Sequence, residues 1–160
     1  MSSQRSAARY DALLQLLRAA NALWDASRVF FEQWNLSPSQ FNVLNLLDSC
    51  PRGLSQTELG RQLLTHRSNV TGLVDRLEKR GLVRRNEVSA DRRVYHVALT
   101  AKGAVLLKSI LPHYHNEADL IWDGIAEEHI SSLLAALDRV TQNAGEAAVR
   151  VPRKSRSKPL

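Results

Sequence analysis

Hydrophobic residues in the first third of the chain recur at the spacing of a long helix. Between residues 7 and 34, leucines, alanines and aromatic residues follow one another at intervals of three, four and seven positions, which is the period of a helix face. The resulting apolar stripe is broader than one small domain covers by itself. The pattern predicts a long first helix, part of which packs against another subunit.

Two helix starts follow. Ser37 and Gln40 have the spacing of a capping box, with Pro38 at the first helical position, and they predict a helix over residues 37–49. Ser55 and Glu58 repeat the capping-box spacing after a Pro and Gly break. They predict a short helix that ends near residue 63.

The next segment has the clearest helical pattern. Apolar residues of residues 66–80 fall at i, i+3, i+4 and i+7, namely Val70, Leu73, Val74 and Leu77. Gly81 then supplies a residue suited to a helix C-terminus. Because only a turn at residues 64–65 separates this helix from the preceding one, the two predict a helix-turn-helix.

Residues 82–88 and 93–100 alternate like paired strands, with a turn at residues 89–91, and predict a β-hairpin. Thr100 is expected to cap a helix that runs to residue 125 with a bend at Pro112, and a last helix covers residues 127–144. The predicted fold is mainly α with a small β-hairpin wing, a winged helix-turn-helix flanked by N- and C-terminal helices.

This order of elements divides a chain of single-domain length into four regions. We predict an N-terminal helix over residues 1–35, the winged helix-turn-helix lobe over residues 36–103, C-terminal helices over residues 104–148, and a basic, flexible tail over residues 149–160. The start of the chain lacks the apolar core of a signal peptide, and every apolar run is broken well before about 18 residues. A cytoplasmic protein without membrane contact is therefore predicted.

Positive charge is concentrated in two segments of the chain. The net charge is +6, of which residues 150–160 carry +5, and residues 61–96 hold nine Lys and Arg against four acids. Such segments indicate a polyanionic partner. Arg84, Arg85, Arg92 and Arg93 lie on the predicted hairpin, where they are expected to neutralise DNA phosphates.

The polar face of the predicted helix over residues 66–80 carries small side chains. Ser68, Gly72, Asp75 and Lys79 lie opposite Val70, flanked by Asn69, Thr71 and Arg76. Glycine inside a helix costs about 1 kcal/mol relative to alanine. Either Gly72 permits close approach to a DNA groove, or it relieves crowding against a neighbouring helix; the first interpretation is favoured because the apolar residues point the other way.

Three segments, ELGRQL, SNVTGLVDRLEKRGLVRR and DRRVYHVALTAKG, resemble the recognition region of the MarR family of bacterial transcription regulators, over about residues 36–103. The resemblance implies a homodimer in which the N- and C-terminal helices interlock as dimerisation helices. It places the second motif helix in a major groove and each wing in the flanking minor groove. A pseudopalindromic operator with half-sites about 10 bp apart is then expected. The implied DNA-binding residues are Arg67, Ser68, Asn69, Thr71, Gly72, Arg76, Asp91, Arg92 and Arg93.

In the wing, the resemblance matches Asp91 and Arg93 to a family Asp-x-Arg pattern and makes Arg92 a phosphate partner. An arginine at the hairpin tip suits a narrow minor groove, and Asp91 is placed to orient it by a charge-assisted hydrogen bond. The alternative is a solvated turn with an incidental ion pair.

The family resemblance also implies a small phenolic or aromatic acid ligand that releases DNA. The candidate lining residues are Trp24, Arg28, Trp34, Phe41 and Tyr114; each alternatively serves core or dimer packing. His113, His115 and Glu117 lie close in sequence but lack a clear ligand geometry, so no metal and no cofactor are predicted. Cys50, the single cysteine, suits a core or turn position better than a redox sensor, since the peroxide-sensing mechanism needs a cysteine in the first helix.

Several function classes remain to be weighed. No GxGxxG, GxxxxGK[ST], GxSxG or HExxH pattern occurs, so the chain is not expected to be an enzyme. The prediction is a sequence-specific, ligand-responsive transcriptional repressor that binds double-stranded DNA as a homodimer. The alternative is a winged-helix protein that binds DNA non-specifically or serves as a protein-contact module.

Overall fold

The computed structural model describes residues 2–63, 67–87 and 95–150, with the side chains of residues 2–5, 67, 68, 87, 148 and 149 outside the description. Within these ranges the chain is mostly helical and carries a small antiparallel sheet, which confirms the predicted fold class. In chain order the elements are α1 (Ser2–Glu32), α2 (Pro38–Asp48), β1 (Leu54–Ser55), α3 (Gln56–Gln62), α4 (Arg67–Lys79), β2 (Val83–Glu87), β3 (Tyr95–Leu99), α5 (Ala101–Ile121) and α6 (Glu127–Arg150).

Both predicted capping boxes are present. At the start of α2, the backbone N–H of Gln40 donates to Ser37 Oγ at 3.2 Å and the N–H of Ser37 donates to Gln40 Oε1 at 2.8 Å. At the start of α3, Ser55 and Glu58 repeat this exchange at 3.2 and 2.8 Å. Each box satisfies two backbone donors that a helix start would otherwise leave unpaired, so the helix-turn-helix starts where the sequence predicts.

The sheet has one strand more than predicted. Its order is β1-β3-β2, with β1 paired to β3 at Leu54 and Val97, and β2 paired to β3 at Arg85 and Val97. The strand β1 is only two residues long, too short to show an alternating pattern. On the central strand β3, Val97 and Ala98 are both buried, instead of alternating between an inner and an outer face.

The junction from α4 to α5 is tightly built. Gly81 follows α4 with φ +70°, the left-handed conformation that ends many helices. Thr100 accepts the N–H of Gly103 at 3.0 Å and donates to the carbonyl of Gly81 at 2.7 Å, which confirms it as the cap of α5. A Cβ on Gly103 would lie 2.1 Å from the carbonyl oxygen of Leu82, so the first turn of α5 touches the chain that leaves α4.

The core lies around α4 and the sheet. Its fully buried side chains come from the end of α1, from α2, α3 and α4, from β2 and β3, and from α5; the largest include Phe31, Phe41, Leu44, Leu47, Leu59, Leu77, Leu82, Leu107 and Ile110. Phe31 and Phe41 stack with ring centroids 4.4 Å apart. This cluster includes the buried, apolar sides of α3 and α4, the two helices of the helix-turn-helix.

The described chain groups into two compact units, with the boundary after His113. The second unit contains the end of α5 and all of α6, and none of its described side chains is buried. The prediction of four regions in one domain stays a prediction. The predicted turns at residues 64–65 and 89–91 and the tail from residue 151 lie outside the described residues.

Three helix bounds differ from the prediction. The helix α1 starts at residue 2, α5 ends at Ile121, and α6 continues to Arg150. The earlier end of α5 has a local cause, because Gly124 adopts φ +76° in the turn before α6, a conformation that stops a helix. The extension of α6 includes an i,i+4 ion pair from Arg150 to Glu146 at 3.1 Å, which favours helix.

Candidate nucleic-acid interface

The helix α4 has one buried and one accessible side. Val70, Val74 and Leu77 are fully buried and Leu73 is 7% exposed. Because the helical period places residues opposite this stripe toward solvent, polar residues line the outer side. Three of the predicted DNA-binding residues have exposed side chains, namely Asn69, Thr71 and Arg76.

Gly72 leaves a gap on the accessible side of α4. Among the described residues, the one atom within 4 Å of a Cβ built there is Nη1 of Arg76, at 3.6 Å and on the same helix. No described neighbouring helix crowds this position, so the alternative interpretation of Gly72 finds no support. The helix backbone is therefore open to close approach from outside at this residue.

A residue that the sequence reasoning missed links α3 to α4. Thr71 Oγ1 donates to Oε1 of Gln56, the first residue of α3, at 3.1 Å. Thr71 therefore has an intramolecular partner as well as an exposed position. The helix-turn-helix pattern could have indicated this contact, because it places the first residue of α3 beside α4.

The start of α3 is stabilised by the carboxylate of Glu58. Hydrogen bonds from the side chain and backbone of Ser55 lower the pKa of Glu58 below its ordinary value of 4.5. The carboxylate therefore stays ionised at neutral pH and accepts from both Ser55 donors. A charged acceptor in the first turn also suits the positive end of the helix dipole.

Arg85 forms ion pairs with two acids of α4. Its guanidinium donates to Asp75 Oδ1 at 2.5 Å and to Glu78 Oε2, and its backbone N–H donates to Glu78 Oε1 at 3.0 Å. The hydrogen bond to Asp75 raises the pKa of Arg85 further. These ion pairs favour a structural role for Arg85, because its charge joins β2 to α4, and the expectation that it neutralises phosphates stays a prediction.

Other basic side chains around α4 remain accessible. Those exposed on α3, α4 and β2 are Arg61, Arg76, Lys79 and Arg84. Arg85 offsets one of the two negative charges of Asp75 and Glu78, so the exposed cations outnumber the one acidic charge of α4 that is left. The accessible side of the lobe thus carries the positive charge that the sequence predicted for this segment.

The remaining predicted DNA-binding residues are not placed by the structure. The side chains of Arg67 and Ser68 lie outside the description although their backbone starts α4. Asp91, Arg92 and Arg93 lie outside the described residues altogether. Their roles stay predictions.

The structure does not bring the five predicted ligand-binding residues together. Phe41 is 1% exposed and stacks in the core, as in the packing alternative. Trp34 is half-buried against Phe30 and His113, with ring centroids 5.1 and 5.9 Å apart. Trp24 is 48% exposed on α1, and Tyr114 belongs to the second unit.

Arg28 alone of these five lines an open cavity of about 540 Å³ in the first unit. The cavity lies beside the last turns of α1 and the start of α2, lined by Asp25, Arg28, Val29, Glu32, Asn35, Leu36, Ser37, Pro38 and Gln40. Arg28 pairs with Asp25 at 3.8 Å. With two carboxylates and one guanidinium, the wall is not the aromatic, cationic one predicted.

Other kinds of functional site have little support among the described residues. In the part of the chain that the structure describes, no group of three His, Cys, Asp or Glu side chains is placed to hold a metal ion. Cys50 is half-buried at the end of α2. Among the described helices, none combines the length and the apolarity needed to cross a membrane.

Comparison with known proteins supports the assignment of a winged helix-turn-helix lobe. The sequence model described as MarR family matches residues 34–94. The chain is 35% identical over 97 residues to the transcriptional repressor MprA of Escherichia coli K12, a match that covers 56% of this chain and spans about half, 55%, of MprA. It is 32% identical over 130 residues to the transcriptional regulator MhqR of Bacillus subtilis 168, covering 81% of this chain and 88% of MhqR.

The fold is shared with a solved protein–DNA complex. The S. aureus MepR–DNA complex superposes with a TM-score of 0.74 at 20% identity, covering 84% of this chain and 97% of MepR. MprA is named a transcriptional repressor and MhqR a transcriptional regulator, which agrees with the prediction of a non-enzymatic chain. Since the sequence match to MhqR spans most of both proteins and the fold is the same as in MepR, the chain belongs to the MarR family.

Proposed function

We propose that this chain is a transcriptional repressor that binds a pseudopalindromic operator as a homodimer and is released from it by a small ligand. The observation that carries the proposal is the accessible side of α4, where Gly72 leaves the backbone open between exposed Asn69 and Arg76. We call α4 the recognition helix from here on.

The shape of the recognition helix suits a major groove. A groove about 12 Å wide admits one helix, and large outward side chains near its middle would hold the backbone away from the base edges. Hydrogen-bonding side chains on either side of the gap at Gly72 are then within reach of bases, while exposed Arg61, Lys79 and Arg84 supply charge for phosphates.

Exposed apolar side chains support the homodimer. In the single chain, Leu13 and Leu17 of α1 are 51% and 54% exposed, and Leu133 and Leu134 of α6 are 40% and 59% exposed. Exposed apolar side chains that recur at helical spacing, as they do within each of these two helices, are typical of a protein interface. Two-fold symmetry would place two recognition helices on half-sites about 10 bp apart.

Repression and DNA binding are carried over from relatives. MprA is named a repressor, and MepR was solved as a complex with DNA. Both properties are proposed for this chain because the lobe that would perform them is the region of the match. Such a regulator would act in the cytoplasm, where chromosomal DNA lies.

A series of substitutions at Gly72 tests the recognition helix. Gly72→Ala adds a Cβ at ordinary contact distance from Arg76 and should stabilise the fold by up to about 1 kcal/mol. Gly72→Leu should also fold, but it should weaken operator binding about a hundredfold or more because its side chain fills the groove side. Both variants are compared in thermal unfolding and in binding to fragments selected from random DNA.

Two results would contradict the proposal. One is a Gly72→Leu variant that binds selected fragments as tightly as the parent. The other is a selection that yields no palindromic sequence and a preference over random DNA well below about a thousandfold, which would favour non-specific binding. A chain with Ala at positions 69, 92 and 93 should lose operator preference while keeping its melting temperature.

We propose phenolic or aromatic acids as the ligand class, which is what the family resemblance implies. The cavity beside α1 and α2 that Arg28 lines is the candidate site, and its wall also carries the carboxylates of Asp25 and Glu32. We expect salicylate-like compounds to change the tryptophan fluorescence of the chain and to release DNA in the same concentration range. An Arg28→Gln variant is the matched test, since it removes the one cation of the cavity wall. A panel that neither quenches fluorescence nor releases DNA would remove phenolic acids as ligands.

A further inference from the structure

Arg80, the residue directly after the recognition helix, forms a fork of hydrogen bonds to a distant turn. Its Nη1 donates to the carbonyl oxygen of Asn35 at 2.5 Å and its Nη2 donates to the carbonyl oxygen of Trp34 at 3.0 Å. These two carbonyls belong to the turn between α1 and α2. One side chain therefore connects the end of the recognition helix to the end of α1.

The accepting turn has a fixed shape. Asn35 adopts φ +53°, the left-handed conformation found at many helix ends. The N–H of Asn35 donates to the carbonyl of Glu32 at 2.8 Å, and that of Leu36 donates to the carbonyl of Phe31 at 3.2 Å. Because Phe31 is buried in the core, the carbonyls that receive Arg80 point in a defined direction.

The backbone of Arg80 is held from a second side. Lys102, in the first turn of α5, donates from Nζ to the carbonyl oxygen of Arg80 at 2.8 Å. Thr100 donates to the next carbonyl, that of Gly81, at 2.7 Å. The end of the recognition helix is thus hydrogen-bonded both to the end of α1 and to the start of α5.

Hydrogen bonds add a directional restraint to the apolar contacts of this helix. The buried side chains of Val70, Val74 and Leu77 attach it to the core through the hydrophobic effect, a driving force that is itself non-directional. Hydrogen bonds from a charged donor are directional and stronger than neutral ones. Arginine also presents its donors in a planar fork, which a lysine ammonium cannot reproduce on two adjacent carbonyls.

We propose that Arg80 is a positioning residue that sets the angle of the recognition helix against α1 and α5, and thereby the spacing of the two recognition helices in the dimer. This inference rests on the proposed function. Arg80 acts through the turn at Trp34 and Asn35 and does not contact DNA. Arg80 is one of the nine basic residues of the positively charged segment 61–96, but its guanidinium is engaged inside the protein.

Arg80→Lys tests the proposal while keeping the charge. Binding is measured on a selected operator and on the same operator with one base pair inserted between the half-sites. We expect the parent to lose about a hundredfold in affinity on the longer operator. We expect Arg80→Lys to bind the optimal operator about tenfold more weakly than the parent does. On the longer operator, the variant should lose only about another tenfold in affinity relative to its own binding of the optimal operator.

Arg76→Gln is the control for a direct DNA contact. It should lower the slope of log affinity against log salt by about one and leave the spacing penalty at the parent value. Arg80→Lys should show the reverse, an unchanged salt slope with a smaller spacing penalty. If Arg80→Lys keeps the parent's spacing penalty, or if Arg80→Gln changes the salt slope as Arg76→Gln does, the proposal is wrong.

A measurement without DNA separates this inference from the proposed function. Amide hydrogen exchange in Arg80→Lys should be at least about tenfold faster at Leu36 and Gly81, whose N–H groups close the two joined turns. Unchanged exchange at both amides would overturn the positioning role even if the chain binds an operator. Conversely, faster exchange in a protein without operator preference would overturn the proposed function and its consequence for half-site spacing. Only the connection of Arg80 to the turn at Trp34 and Asn35 would then be supported.

Discussion

The lobe around the recognition helix and the helix α6 use apolar residues in opposite ways. In the lobe, the apolar stripe of the recognition helix is at most 7% exposed. In α6, the apolar stripe formed by Leu133, Leu134 and Val140 is 40 to 59% exposed. Both helices have an amphipathic pattern in the sequence, so the pattern alone does not tell which partner covers the apolar side.

The difference indicates where each region obtains its stability. The lobe completes its core within one chain, since α2, α3, the sheet and the start of α5 all contribute buried side chains. The apolar side of α6 is left for a second copy under the proposed function. Substitutions should therefore affect folding in the lobe and assembly in α6.

The largest expected effect follows truncation of the lobe core. Leu77→Ala removes a fully buried side chain of the recognition helix and should lower the free energy of unfolding by about 2 to 5 kcal/mol. Val105→Ala is the control, because Val105 is 70% exposed on α5, and its effect should stay within about 0.5 kcal/mol. Denaturant unfolding measures both; equal effects would contradict the core described for the lobe.

A charge on the apolar side of α6 should act on assembly. Leu134→Glu places a carboxylate where the proposed dimer is apolar, and should raise the dimer dissociation constant about a hundredfold or more. Ser132→Glu adds the same charge to an exposed polar position of α6 and should leave the dimer intact. Sedimentation at several concentrations distinguishes the two. A Leu134→Glu protein that stays dimeric would show that α6 does not form the interface.

The ion pairs of Arg85 should contribute less than the core. Arg85→Gln leaves Asp75 and Glu78 without their cation, and because these acids are 49% and 36% exposed, solvent limits the loss to about 1 kcal/mol. Arg84→Gln on the same strand is exposed and should hardly change stability. In DNA binding the roles reverse, since the salt dependence should fall for Arg84→Gln and not for Arg85→Gln.

The smallest effect is the pH dependence of the cap on α3. Because the pKa of Glu58 is lowered in the folded protein, its stabilisation is present above the ordinary value of 4.5 and is lost as the pH falls through the folded-state pKa. Glu58→Gln retains the hydrogen-bonding shape without the charge. The melting temperature of the parent should exceed that of Glu58→Gln slightly at neutral pH, and the difference should disappear on acidification.

Much of the lobe is predictable because its signals are local. Ser37 and Ser55 bond to residues three positions ahead, so the spacing within four residues identifies both helix starts. The same holds for the apolar stripe of the recognition helix. The strand β1 could not be predicted, since its two residues form a strand only by pairing with β3, some forty positions away.

Charge roles were harder to predict for a similar reason. Arg80, Arg84 and Arg85 look alike in a charge count, yet Arg80 bonds to carbonyls about 45 positions earlier and Arg85 pairs with two acids of the recognition helix. Phe41 is likewise an aromatic residue of the kind that lines ligand pockets, but it stacks on Phe31 in the core. Partners that lie far apart in sequence decide these roles.

Gly103 limits how this chain can vary. Any side chain there would collide with the carbonyl of Leu82, at 2.1 Å from its Cβ, and backbone atoms cannot rotate away as a flexible side chain can. In a saturation library selected for folding, we therefore expect glycine alone to survive at position 103, whereas Gly145, with no described atom within 4 Å of its Cβ, should accept most helix-forming residues. The mutational tolerance of α5 is thus lowest at its very beginning.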